Sequence, residues 1–399
     1  MSGLRLVLAW IRARPLMSVL SLLLVSLGVG TVVLVSLVSE QLEDRAQRDA
    51  AGIDLVVGAR GSALQLVLAG VYHLDVPPGN IPWRVKDEIE ALPMVGAVLP
   101  VALGDNFRGF RIVGSQAALV DWFGARLEQG ERFDQPMQVV VGAQVARETG
   151  LTLGARFAGQ HGLSADGPAH GDAIYTVRGV LAPTASVVDR LILTSVESIW
   201  QVHEGEPADD AERAQLEAER EITLLLLRYA SPLAAVTVPR SINAAGRWLA
   251  ASPSFESARL MGLLGVGVDT LRGLGVLILL MAGASVFVAL LQALSERRRE
   301  LALLRLLGAR PRALVGLLML EGLLLTAPGA ILGALAAHLA LALVGQVAVS
   351  GVGLPLQAWM LTATECGVVV GAMALGIVAA LWPAWRVTRL PLADTLASS

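Results

Sequence analysis

Only one lysine, Lys86, and one cysteine, Cys366, occur among the 399 residues. A lone cysteine excludes an intrachain disulfide, so any domain outside the cytoplasm must stand on its apolar core. The lone lysine excludes a nucleotide-binding P-loop. That motif reads Gly-x-x-x-x-Gly-Lys-[Ser/Thr], because the lysine meets the β- and γ-phosphates while backbone amides cradle them. Lys86 instead stands in Trp83-Arg84-Val85-Lys86-Asp87, without those glycines. Excess positive charge is also missing: the formal net charge of -3 offers no basic surface to nucleic acid. No nucleophile–base arrangement or compact zinc motif is recognisable, so the chain is not expected to be an enzyme.

What is present in quantity is apolar sequence. The chain is 54% hydrophobic with a mean hydropathy of +0.63, too apolar for an ordinary soluble protein and too charged in places to lie in a membrane throughout. Pro15 to Val38 is a run of 24 residues without a charge, long enough to cross about 30 Å of hydrocarbon. A cleaved signal peptide is the competing reading, but the run exceeds its usual apolar length. Four spans are predicted, at 15–38, 269–295, 313–345 and 361–383. Pro328-Gly329 suggests that the third is kinked or tilted.

Arginine sets the orientation. Arg5, Arg12 and Arg14 precede the first span, Arg297, Arg298, Arg299, Arg305, Arg310 and Arg312 separate the second and third, and Arg386 and Arg389 follow the fourth. The loop at 346–360 carries no lysine or arginine, so it is placed outside, and both termini inside. Residues 1–14 read as a cytoplasmic amphipathic helix, with Leu4, Val7, Leu8 and Ile11 on one stripe and Trp10 as an interfacial anchor. Residues 384–399 form a cytoplasmic tail.

Residues 39–268 must then form a large extracytoplasmic domain. Ile53–Val57, Val95–Leu103, Phe107–Val113, Gln138–Val141, Tyr175–Val180 and Ile222–Tyr229 read as strands, being short and rich in branched aliphatics. Arg84–Leu92, Ala143–Thr149 and the charge-dense Ala211–Glu221 read as helices. The fold class is thus an α-helical membrane protein with four transmembrane helices and an α+β domain, expected in two lobes, inserted between the first and second.

The cytoplasmic segment 296–312 is the most informative. Leu301, Leu303, Leu304 and Leu307 make an apolar helical stripe, Gly308 suits a helix C-cap and Pro311 starts the next element. Such a segment fits a basic anchor on anionic headgroups or a short helix that plugs into a partner. Followed by Leu320-Glu321-Gly322-Leu323-Leu324 and a glycine-rich third span, it resembles the signature of MacB/FtsX-type permeases. Trp382-Pro383-Ala384-Trp385-Arg386 through Leu396 resembles that family's C-terminal box, with Asp394 in place of its usual glutamate. Val141 to Phe157 is similar to a strand–helix–strand segment of its periplasmic domain.

The resemblance implies a subunit of an ABC transport complex in the inner membrane of a bacterial cell. It implies a cytoplasmic ATPase dimer carrying ATP and Mg, no cofactor in this chain, and a second permease copy, identical or different. It also implies a possible periplasmic or outer-membrane partner and an envelope substrate: a lipoprotein, peptide, amphiphile or metal-linked cargo. Members often work by mechanotransmission, moving their outer domains rather than passing substrate across the bilayer. The residues this assigns to ATPase coupling are Glu296, Arg297, Arg298, Arg299, Glu300, Leu301, Leu304, Arg305, Leu307, Gly308 and Ala309. A division-type regulator of a cell-wall hydrolase is the alternative function.

Other candidates come from the residues alone. Gly329/Gly333 and Gly367/Gly371 are spaced for close helix packing. Glu321, inside the third span, would cost up to about 2.5–3.5 kcal/mol facing lipid, so it should face protein in a packing or coupling role. His338 in the same span is expected to hydrogen-bond a neighbouring helix. Tyr72, His73 and Trp83 lie in a Gly/Pro-punctuated apolar stretch and are candidates for substrate or partner contact. His161, His170 and Asp172 hold metal-ligating side chains within a loop-like stretch.

Overall fold

The computed structural model describes residues 3–162, 169–204, 209–348 and 356–388, and within these every side chain except those of 169–172 and 345–348. It divides into two units, Met1–Leu42 with Leu264–Ser399, and Glu43–Leu263.

The first unit is the membrane unit. Four helices are long and apolar enough to cross a bilayer: Pro15–Asp49, Pro253–Glu296, Pro311–Val344 and Ala363–Thr388. The first and second are longer than their predicted spans and run on as helix beyond the charge-free stretch. Pro328 lies inside the third helix, which continues through it. Lipid is as apolar as leucine, so these helices gain by close backbone approach rather than by escaping water. At Gly333 a Cβ would stand 3.0 Å from the amide nitrogen of Gly30, and at Gly329 it would stand 2.9 Å from Val25 Cβ, so these two glycines seat the third span on the first. Gly322 does the same between the third and fourth spans, 2.6 Å from the carbonyl oxygen of Gly376. Ser21 and Ser285 join hydroxyls at 3.2 Å between the first and second.

Gly367 and Gly371 differ from Gly329 and Gly333. A Cβ on either would meet nothing within 4 Å among the described residues. Spacing finds helix faces bare of side chains but does not say whether another helix lies there. His338 hydrogen-bonds the fourth span: its Nε2 lies 2.9 Å from Glu365 Oε1 and its Nδ1 2.6 Å from the Ala358 carbonyl, with Trp359 stacked on the ring.

The second unit is built on β-strands: β1 (Leu55–Gly58), β2 (Ile81–Pro82), β3 (Val95–Phe107), β4 (Phe110–Ser115), β5 (Leu127–Gly130), β6 (Gln138–Val141), β7 (Arg156–His161), β8 (Ala169–Leu181), β9 (Ile192–Ser195), β10 (Glu221–Ile222), β11 (Leu224–Tyr229) and β12 (Leu249–Ala251). Ten form one sheet in the order β12-β1-β11-β3-β4-β9-β6-β8-β5, with β7 against β3 and β8. The pairs β4–β9 and β6–β8 are parallel and the rest antiparallel. The 13-residue β3 joins two parts of the sheet, pairing with β11 along its first part and with β4 and β7 along its second.

Both faces of this sheet are buried. Leu55, Val57, Val139, Val141, Leu225 and Leu227 join one core, and the intervening Val56, Val140, Leu224 and Leu226 join another. Continuous apolar runs such as Leu224-Leu225-Leu226-Leu227 are what a strand covered on both sides requires.

Candidate functional site

Between the second and third spans, Arg298–Leu306 forms a nine-residue helix. Its end is a Schellman motif: Gly308 takes φ 93°, its amide donates to Arg305 O, and the Ala309 amide donates to Leu304 O at 2.9 Å. Only glycine enters that backbone region without strain. Pro311 then opens the third span.

Arg297, immediately before this helix, is turned inward. It is 8% exposed, and its guanidinium donates to Glu321 Oε1 at 3.1 Å and to the Trp10 carbonyl at 2.9 Å, while lying 4.7 Å from the Trp10 ring centre. Glu321 is 4% exposed. One cation therefore ties the amphipathic helix Gly3–Arg12, the end of the second span and the body of the third. Arg14 adds an ion pair with Glu296 and a hydrogen bond to the Gln292 carbonyl. Val7, Trp10, Leu294, Leu301, Leu314 and Leu318 close an apolar cluster around the knot.

This sorts the predicted coupling residues. Arg297 and Leu301 are buried within the chain, where Arg297 holds Glu321 and the Trp10 carbonyl. Ala302 is buried beside them. Leu304, Arg305 and Ala309 are half-buried, and Glu296, Arg298, Arg299, Glu300, Leu307 and Gly308 are exposed. Leu303 and Leu306 join Leu307 on the outside at 51%, 59% and 85% exposure. Leucine spacing marks the helix, but cannot say which of its leucines face inward.

In the outer unit, Tyr72 lies in the core, while His73 and Trp83 are half-buried. Tyr72 is buried, its hydroxyl shared with Ser257 Oγ and the Ala46 carbonyl. Trp83 meets Trp200 edge to face at 5.0 Å. His73 takes φ 54°, and its Nδ1 is shielded from solvent with no hydrogen-bond partner among the described residues.

Burial, helped by the nearby Arg111 and Arg190, pushes the His73 imidazole down to about 3 from 6.5. A group neutral when folded and free to charge when unfolded stabilises the fold fully above its unfolded pKa. That contribution drains as pH falls towards the folded pKa. Because His73 is partly exposed, we expect a discounted loss of about 1–2 kcal/mol between pH 7 and pH 5. His73→Asn, which also accepts positive φ, should reduce the fall in melting temperature over that interval; an identical fall in both proteins would refute it.

His161 lies at the end of β7 with Asp105 of β3 and His203 of the helix Val196–His203 beside it, their ligating atoms all within 4.8 Å of one another. The side chains of His170 and Asp172 lie outside the described residues. Sequence spacing missed Asp105 and His203 because they are 56 and 42 residues from His161 in the chain.

Among solved structures, similarity extends to the periplasmic region of MacB from Actinobacillus actinomycetemcomitans, at 11% identity and a TM-score of 0.35 over 53% of this chain and 95% of that one. It also extends to the extracellular domain of the noncanonic ABC-type transporter YknZ from Gram-positive bacteria, at 11% identity and 0.31 over 50% and 98%. A domain of a putative permease protein from Porphyromonas gingivalis shares 21% identity at 0.28, over 49% and 79%. No curated protein sequence matches. The MacB-like periplasmic core domain matches residues 18–244, more than half of the chain, and the FtsX-like permease C-terminal region matches residues 272–392. The chain belongs to the MacB/FtsX-type family of ABC transporter permeases.

Proposed function

We propose that this permease converts ATP hydrolysis by a separate ATPase into movement of its extracytoplasmic domain, acting on an envelope lipoprotein, peptide, amphiphile or metal-linked substrate. ATP and Mg2+ belong to the partner, which docks on the cytoplasmic face of a bacterial inner membrane, where both termini lie. Two permease copies, identical or related, complete the complex.

The observation that carries this reading is the junction at Arg297. A helix with exposed Leu303, Leu306 and Leu307 is set in a basic segment and braced by a buried cation against the N-terminal helix and the third span. Apolar side chains ringed by charge suit insertion into a protein groove, where packed leucines supply affinity and the surrounding charges set register. The brace gives any displacement of this helix a stiff path to Glu321 and Trp10, so a push at the leucines becomes a movement of spans rather than a local rearrangement.

The double replacement Leu306→Asp with Leu307→Asp tests it. Both side chains project outward, so the variant should fold and insert as the parent does. Recovery of the ATPase on co-purification should fall at least tenfold, roughly the effect of losing one well-packed anchor. Undiminished recovery and coupling would overturn the assignment.

A further inference from the structure

We propose that Asp105, His161 and His203 form a binding site for one divalent transition-metal ion of the zinc class on the extracytoplasmic domain. Three separate elements bring the residues together. Asp105 follows a register shift in β3 between Leu103 and Asp105, an irregularity of the kind that re-aims a side chain. Its carboxylate is fully buried, and it sits opposite His161 in the β3–β7 pairing. His203 is the last residue of its helix, where the backbone dipole favours positive charge. Gly104 makes room for it: a Cβ there would stand 3.2 Å from His203 Nε2.

The spacing suits a shared ion. Asp105 Oδ1 lies 3.4 Å from His161 Nδ1 and 3.7 Å from His203 Nε2. Donors held about 2.0–2.2 Å from a tetrahedral metal are separated by about 3.4 Å, the edge of the tetrahedron. The two imidazole rings lie 5.0 Å apart between centres, and at 49% and 35% side-chain exposure they can close further over an ion. The Asp105 charge, after burial, is the second cause that raises the hydroxyl pKa of the fully buried Tyr175.

Two imidazoles and one carboxylate select a borderline ion. Calcium and magnesium call for oxygen ligands throughout, and soft monovalent copper for sulfur, which the chain's one cysteine does not bring here. With both imidazoles part-exposed among the described residues, an ion can enter from solvent and take water or an exchanging ligand as its fourth partner. The competing explanation is an ion pair alone, in which Asp105 faces imidazoles that take up a proton instead of a metal.

The test uses the full chain in detergent, purified without a histidine tag, stripped with chelator, and titrated first with Zn2+ by calorimetry and then with Co2+ by visible absorption. One Zn2+ per chain with a dissociation constant in the micromolar range or below is expected, together with the d–d bands of four-coordinate Co2+. His161→Ala and His203→Ala, both at the rim, should retain the fold by circular dichroism and weaken Zn2+ binding at least about tenfold each. Asp105→Asn should do the same. No saturable uptake by the parent would mean an ion pair only and would overturn the site, as would uptake unchanged in both histidine variants. The titration involves no ATPase, so its failure leaves the coupling role untouched.

Discussion

Arg297→Ala is expected to destabilise the membrane unit by about 3–5 kcal/mol, the usual consequence of stranding one member of a buried ion pair. Arg297 and Glu321 are 8% and 4% exposed, and removing the guanidinium leaves the carboxylate and the Trp10 carbonyl without their donor. The cation–π contact with Trp10 goes too, worth about 1–2 kcal/mol when desolvated. Thermal unfolding of the detergent-solubilised chain measures the loss.

A second variant separates stability from transmission. Replacing both partners, Arg297→Met with Glu321→Leu, removes the desolvation cost along with the attraction and should recover most of the stability. If the pair is a brace, coupling of ATP hydrolysis to transport stays impaired in the recovered protein, because flexible apolar packing replaces a fixed bridge. A single variant as stable as the parent, or a double variant with full coupling, would remove the brace from the mechanism.

Gly333→Val should be nearly as damaging, by a different route. The added Cβ would stand 3.0 Å from the Gly30 amide nitrogen and would also meet the Ser26 carbonyl oxygen, both backbone atoms that cannot rotate away. Overpacking of this kind costs about 1–3 kcal/mol, and more where neither backbone can yield. Close packing is also what holds spans together in lipid, so the first and third spans should separate. Gly371→Val is the internal control, since a Cβ there meets nothing within 4 Å. Yield of monodisperse protein and melting temperature should fall for the first and hold for the second. Equal behaviour of the two would show that the first and third spans do not depend on this approach.

The membrane unit was largely legible from sequence because its signal is local. A charge-free run such as Pro15–Val38 has few other fates, and the arginines around 297–312 mark one side of the bilayer whatever the tertiary arrangement. Six of the outer strands were visible for the same reason, as compact aliphatic runs. The strands that escaped, β2, β5, β7, β9 and β12, are short or mixed in composition: β5 is Leu127-Glu128-Gln129-Gly130, whose place in the sheet comes from pairing with β8. Pairing is a contact between distant residues and leaves no periodic trace.

By itself the sequence determined that there are four apolar spans around one large domain, that no P-loop is present, and that a basic, leucine-bearing segment lies between spans two and three. Those properties depend on residue type over a few consecutive positions. Tertiary structure alone decided which of those leucines face outward, that Arg297 is a brace holding Trp10 and Glu321, and that Asp105 and His203 meet His161. The reason is physical: burial, ion pairing and ligand geometry are set by approach through space, and residues 24, 42, 56 or 287 positions apart acquire neighbours only when the chain has folded.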